Sequence, residues 1–202
     1  MSKTIFKPSG TSRPLYGQLE LKIGNAHLLI VDDQGASALL DLSAKVDSIF
    51  FENSYIIFVY KESGTTNLES IKKLEAKQLD VEASIPDALL KTQQILSDAK
   101  NGLQIYVSGS EGLIGQAIRE ASNFNYPSSA IQTEHRGSKA RRMQCVHCKG
   151  ITEDVITNPF VCSHCDLNLL VRDHYSRRIA AFQGVCIDAE TPGRVPKPVE
   201  ID

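Results

Sequence analysis

Four cysteines, arranged as Cys145-Val146-His147-Cys148 and Cys162-Ser163-His164-Cys165, carry the clearest chemistry in the chain. Each pair sets two sulfurs on one tight turn. Two such turns facing each other form a tetrahedral thiolate cage, which Zn²⁺ accepts without redox chemistry. A single iron fits the same four sulfurs. Two disulfides are the competing reading, and no secretory leader supports them. The expected metal ligands are therefore Cys145, Cys148, Cys162 and Cys165, with zinc as the metal and one iron in a rubredoxin-like site as the alternative. The 13 residues between the pairs leave room for a strand, a turn and a returning strand. His147 and His164 each lie between two cysteines, so they read as surface groups or as groups that orient the ligands. Cys186 stands alone after an apolar stretch and reads as an inert buried thiol.

The elements that must carry these turns are short and rich in β-formers. Leu167–Val171 predicts a strand, and 172–182 is ambiguous between strand and helix. The segment upstream reads differently. Leu19–Ile23 alternates apolar and polar residues, as a half-buried strand does. Continuous apolar runs at 27–31, 54–60 and 103–107, with a weaker one at 79–83, alternate with helical patterns at 36–46, 67–77, 86–99 and 112–123. Ser84 is placed to cap the third helix and Pro86 sits in its first turn. A last strand is expected at 130–134. Strands alternating with helices predict an α/β domain with a doubly wound, five-stranded parallel sheet. A small C-terminal zinc-ribbon or rubredoxin-like β module follows it. The expected organisation is an irregular lead-in over 1–18, the α/β domain over 19–135, a basic linker over 136–142, the four-cysteine ribbon over 143–187 and a proline-rich tail over 188–202.

Charge is spread unevenly along the chain although the total is only −2. Residues 1–135 are net −4 and residues 136–186 net +4, with −2 on the tail. A basic module beside an acidic one can steer association, though a solvated face accounts for the same charges. No apolar run approaches the ~20 residues of a bilayer span, and Met1–Lys7 lacks the apolar core of a signal peptide. The expectation is a cytoplasmic protein without a membrane partner, in a compartment that keeps thiols reduced.

Two stretches of the α/β region resemble the nicotinamide-binding domain of ferredoxin-reductase-like flavoproteins. Ile30-Val31-Asp32-Asp33-Gln34-Gly35-Ala36-Ser37-Ala38-Leu39-Leu40 lies over I-A-G-G-I-G-I-T-P-L-L, and Tyr106-Val107-Ser108-Gly109-Ser110-Glu111-Gly112-Leu113 lies over Y-V-C-G-P-E-G-M. The departures fall on the cofactor. Asp32 and Asp33 replace two glycines of the phosphate turn, Ser108 replaces the cysteine beside the nicotinamide, and Ser110 replaces a proline. A carboxylate against a phosphate at contact distance costs on the order of 4 kcal/mol at an effective dielectric near 20. Asp32, Asp33, Gly35, Gly109 and Glu111 thus form a degenerate nucleotide site, and helix capping is the other role open to the two aspartates. Ser108 has no base beside it in the sequence that would make it a nucleophile.

With the ribbon included, from Met143-Gln144-Cys145 through His174-Tyr175-Ser176-Arg177-Arg178, the chain resembles the small subunit of the dimethylamine monooxygenase family (DmmA-like). That resemblance implies a multicomponent, NAD(P)H-dependent, amine N-demethylating system with haem and flavin on other subunits. It implies an accessory or electron-transfer subunit with no catalytic residues of its own, whose partners are the reductase and oxygenase subunits. The alternative is a zinc-ribbon nucleic-acid-binding protein using Arg136–Arg142, opposed by the lack of a dense basic-aromatic surface. A working NAD(P)H reductase is a third reading, opposed by Asp32 and Asp33.

Overall fold

The structure is a computed structural model, and it describes residues 12–60 and 66–201. The chain divides into two units, Tyr16–Ala140 and Arg141–Asp202, the latter joined by the N-terminal residues up to Leu15.

The first unit alternates strands and helices. Its strands are β1 (Ala26–Asp32), β2 (Ser54–Val59), β3 (Gln78–Glu82), β4 (Leu103–Gly109) and β5 (Ile131–His135). Its helices are α1 (Ala36–Ser43), α2 (Ser48–Glu52), α3 (Thr66–Lys72), α4 (Ile85–Asp98) and α5 (Glu111–Asn123). The strands form one sheet in the order β3-β2-β1-β4-β5, and every pairing is parallel. This is the doubly wound α/β sheet expected from the alternation.

Strand periodicity explains the two layers. Leu28 and Ile30 face one side with Ile57, Val59, Ile105 and Val107, packed on α4 and α5 through Leu89, Leu96, Leu113 and Ile114. Leu29 and Val31 face the other side with Ile56, Phe58 and Tyr106, packed on α1 through Leu39 and Leu42 and on α2 through Phe50 and Phe51. Burial on both faces is why β1, β2 and β4 read as continuous apolar runs. Ser84 Oγ accepts the Asp87 N–H at the start of α4, with Pro86 in the first turn, as the sequence predicts.

The expected strand at Leu19–Ile23 does not form. Leu19 is buried, but Leu21 is 56% exposed and Ile23 99% exposed, so the alternation has no buried face to serve. The segment is instead an extended strap. Gly17 N–H donates to Thr133 O, while the amides of Leu19 and Glu20 donate to the side chains of Glu134 and Gln132. Helix α2 is the opposite case, absent from the expectation and present in the fold. Asp47 caps it, its Oδ1 accepting the Phe50 N–H at 3.1 Å.

The second unit holds β6 (Arg141–Cys145), β7 (Ile151–Val155), β8 (Thr157–Asn158), β9 (Phe160–Val161), β10 (Asn168–Ser176), β11 (Ala181–Cys186) and β12 (Val199–Glu200). Five of these form a sheet in the order β7-β6-β11-β10-β9, and β12 pairs with β8. The ambiguous 172–182 segment is the end of β10, a turn and the start of β11. Behind the sheet lie Met143, Val155, Phe160, Leu169 and Phe182, all buried. The end of the tail folds onto the same unit: Ile201 N–H donates to Ile156 O, and the Ile201 side chain packs on that core.

Candidate metal centre

Two strand ends deliver the two cysteine pairs in nearly the same geometry. Cys145 closes β6, and its N–H donates to Gly150 O at 2.9 Å while its carbonyl accepts the Lys149 N–H at 2.9 Å. Cys162 follows β9, its N–H donating to Leu167 O at 2.9 Å and its carbonyl accepting the Asp166 N–H at 3.1 Å. In both turns the residue after the second cysteine has positive φ, +65° at Lys149 and +57° at Asp166. That left-handed step curls the chain so that both sulfurs of a pair point the same way. Gly150 N–H adds a donor to Cys148 Sγ at 3.4 Å.

The four sulfurs converge. Their Sγ atoms all lie within 4.8 Å of one another. Cys145 and Cys165 are 3.8 Å apart, and Cys148 and Cys162 are 3.7 Å apart. A tetrahedral ion with metal–sulfur bonds of about 2.3 Å spaces its sulfurs at about 3.8 Å, so the cage fits zinc, and iron fits equally. Cys145 and Cys162 are buried against the core, Cys165 is half-buried, and Cys148 is the accessible edge.

The thiols differ in how readily they ionise. Burial opposes ionisation of Cys162, but the N–H groups of His164 and Cys165 and the thiols of Cys165 and Cys148 bring it down to about 7. At Cys165 the Leu167 N–H favours the thiolate, yet burial and the three neighbouring sulfurs push it up to about 12. A fourth negative charge beside three sulfurs needs a cation, and a bound metal supplies it while displacing the protons.

Neither histidine belongs to the cluster. His164 Nε2 bonds Ile151 O at 2.8 Å, and its ring lies over Gly150. Ser163 N–H donates to Thr152 Oγ1 at 3.1 Å. The two middle residues of the second turn thus clasp the strand leaving the first, which holds the pairs face to face. Sequence spacing gives no sign of this clasp, because Thr152 and Ser163 are far apart and ordinary. His147 is exposed. Cys186 lies outside the cage and donates to Asp188 Oδ1 at 3.3 Å.

The residues of the degenerate nucleotide site fall at the C-terminal ends of β1 and β4. Asp32, Gly35 and Gly109 come together there. Glu111 stands in the first turn of α5, where its Oε1 accepts from the Tyr16 hydroxyl. Asp33 shares none of these contacts: its carbonyl accepts from Asn67 Nδ2, and its buried Oδ1 has no hydrogen-bond partner among the described residues.

The three arginines of the basic stretch that a nucleic-acid reading needs are engaged within their own units. Arg136 pairs with Glu134 and Asp41. Arg141 is buried, pairs with Asp173 at 2.8 Å and stacks over Phe182. Arg142 pairs with Glu153 and donates to Ala180 O. Guanidinium groups held this way are poorly placed for phosphates, and the nucleic-acid alternative is not favoured. Among the described residues, no helix is long and apolar enough to cross a membrane.

Known proteins resemble the chain along most of its length. The family described as "Dimethylamine monooxygenase subunit DmmA-like" matches twice, its N-terminal domain over residues 9–131 and its C-terminal domain over residues 142–185. The heme-dependent oxidative N-demethylase delta subunit of Ectopseudomonas mendocina (strain ymp) is 30% identical over 111 residues, which is 54% of this chain and 62% of that protein. The chain therefore spans less than two thirds of that relative's length. Two solved structures are similar in part. Phthalate dioxygenase reductase aligns with a TM-score of 0.42 and 13% identity over 69% of this chain and 46% of its own. The C-terminal domain of a Pyrococcus furiosus hydrogenase aligns with a TM-score of 0.41 and 11% identity over 61% of this chain and 100% of its own. With both family domains matched in order, the chain belongs to the dimethylamine monooxygenase subunit DmmA-like family.

Proposed function

We propose that the protein is an accessory or electron-transfer subunit of a multicomponent, NAD(P)H-dependent amine monooxygenase of the dimethylamine type. It serves oxidative N-demethylation by assembly or relay and does not itself carry the catalytic centre. The observation that supports this is the family match over both parts of the chain, together with a relative that is the delta subunit of a heme-dependent oxidative N-demethylase. The hard redox steps of such a reaction belong to haem and flavin cofactors, which sit on the partner subunits in this reading.

Cys145, Cys148, Cys162 and Cys165 hold one zinc ion, whose role is to tie the β-rich unit together. The accessible edge at Cys148 favours a second reading of the same cage, in which the four thiolates would hold a single iron and would supply one-electron transfer between subunits. The reductase and oxygenase subunits are the partners, the compartment is the cytoplasm, and the +4 charge on 136–186 steers the association.

Co-purification from cells expressing the whole system tests this reading. The chain should elute with the oxygenase or reductase subunit at low salt and separate from it as salt rises, because screening weakens charge-steered contacts. Purified alone, it should not demethylate an amine. Elution alone at low salt, with or without bound nucleic acid, would remove the proposal.

A further inference from the structure

We infer that the Asp32 carboxylate occupies the position where a dinucleotide phosphate would sit in this sheet, so that the crevice is filled by the chain itself and takes no NADH or NADPH. In doubly wound sheets, ligands bind beyond the C-terminal strand ends, where neighbouring crossovers leave on opposite faces. Here that point lies between β1 and β4, with α1 and α5 starting beside it. Helix N-termini at such a place offer unpaired N–H groups and a positive dipole end to an anion.

Asp32, the last residue of β1, takes one such donor at each helix. Its Oδ1 accepts the Gly35 N–H at 2.8 Å, and its Oδ2 accepts the Ser110 N–H at 2.8 Å. Gly35 and Ser110 are the residues that cap α1 and α5, so one carboxylate holds the entry amide of both helices. It is 6% exposed. A group so placed bonds these two donors as a phosphate oxygen pair would, and both are withdrawn from a second anion.

The two loops that would have to part around a pyrophosphate also touch each other. Ser108 Oγ donates to Gly35 O at 2.7 Å. A Cβ on Gly35 would overlap Ser108 O and come within 2.6 Å of Gly109 N. Gly109, at φ +137°, would set a Cβ 2.5 Å from Asp32 Oδ2. The gap is narrower than a methyl group. Three further contacts tie the flanking segments. Gln34 Oε1 accepts the Ser138 N–H at 3.0 Å, and Tyr16 donates to Glu111 while stacking on His135 at 5.6 Å. Asp33 has no part in this; the two neighbouring aspartates are not equivalent.

The test uses the full chain, inorganic pyrophosphate and NADPH as probes, and the variants Asp32→Ala and Asp32→Asn. In the wild type, neither probe should move the Gly35 and Ser110 amide signals or the melting temperature. In Asp32→Ala both amides lose their acceptor, and pyrophosphate should shift both signals and raise the melting temperature. Asn has the shape of Asp but presents an NH₂ to one of the two donors. That variant covers the case in which Ala loses the fold: one of the two amides should exchange about tenfold faster, as loss of a buried acceptor worth about 1.4 kcal/mol requires. Saturable NADPH or pyrophosphate binding at Gly35 and Ser110 in the wild type would overturn the inference. So would a folded Asp32→Ala that ignores pyrophosphate, or an Asp32→Asn with unchanged exchange at both amides.

Discussion

The Sγ atoms of Cys148 and Cys162 lie 3.7 Å apart although they come from different turns of the chain. The buried member of that pair, Cys162, also follows β9 and anchors the second turn to Leu167. Replacing its side chain keeps that backbone bond and should cost a metal ligand buried in the core of the unit. Metal binding at four thiolates supplies an apparent ~10–16 kcal/mol in small domains, and a unit this size has little core to replace it. Cys162→Ser is expected to unfold residues 141–201 and leave the parallel sheet standing. Limited proteolysis and near-ultraviolet circular dichroism of the full chain check this. A variant as protease-resistant as the wild type would count against it.

Gly35 is where the parallel sheet tolerates no side chain. Its φ of −69° is ordinary, so the constraint is space alone. Gly35→Ala must push the β1–α1 turn off Ser108, and overpacking of that kind costs about 1–3 kcal/mol. Chemical denaturation should show the loss, and a variant within about 0.5 kcal/mol of wild type would mean the turn has room to give.

His27 gives the parallel sheet a pH dependence. The ring is 5% exposed and stacks on Phe50 at 4.1 Å, and its Nδ1 has no hydrogen-bond partner among the described residues. Burial lowers its pKa below the ordinary value near 6.5. The unfolded chain thus binds a proton that the folded chain refuses. Stability from the neutral ring is fully present above pH ~6.5 and is lost as pH falls through the folded value. A His27→Gln variant should show a flatter fall of stability below pH ~6.5 than the wild type, measured by urea unfolding at several pH values. Parallel curves would assign the acid sensitivity elsewhere.

The end of the tail belongs to the four-cysteine unit. Val199–Glu200 pairs with Thr157–Asn158, and half-buried Ile201 packs on the core. Removing residues 198–202 should cost about 1 kcal/mol, part of the value of one buried aliphatic side chain. Thermal unfolding of the truncated chain checks the loss, and an unchanged melting temperature would show that the pairing contributes nothing.

What could be read from the residues follows from which contacts are local. The runs at Leu28–Val31 and Ile56–Val59 announce central strands because both of their faces are covered. The CxxC spacing announces a cage because each turn is self-contained. Helix α2 is too short, at five residues, to show a period, and only Asp47 three places before Phe50 marks its start. The Leu19–Ile23 alternation misleads because its backbone is satisfied by the side chains of Glu134 and Gln132, far along the chain. In the phosphate turn, Asp32 and Asp33 look alike in the sequence and suggest repulsion of a ligand. The hydrogen bonds give Asp32 the place of the ligand and none of them involves Asp33, a distinction set by Ser110 on another crossover.

The most direct measurement is the metal content and visible spectrum of the purified full-length protein, beside its Cys145→Ser and Cys162→Ser variants. One equivalent of zinc per chain and a colourless protein are expected, with both variants losing the metal. One equivalent of iron with thiolate charge-transfer bands would keep the cage and assign it to the relay. A folded wild-type protein that takes up no metal, or a metal equivalent that survives loss of both Cys145 and Cys162, would contradict the account.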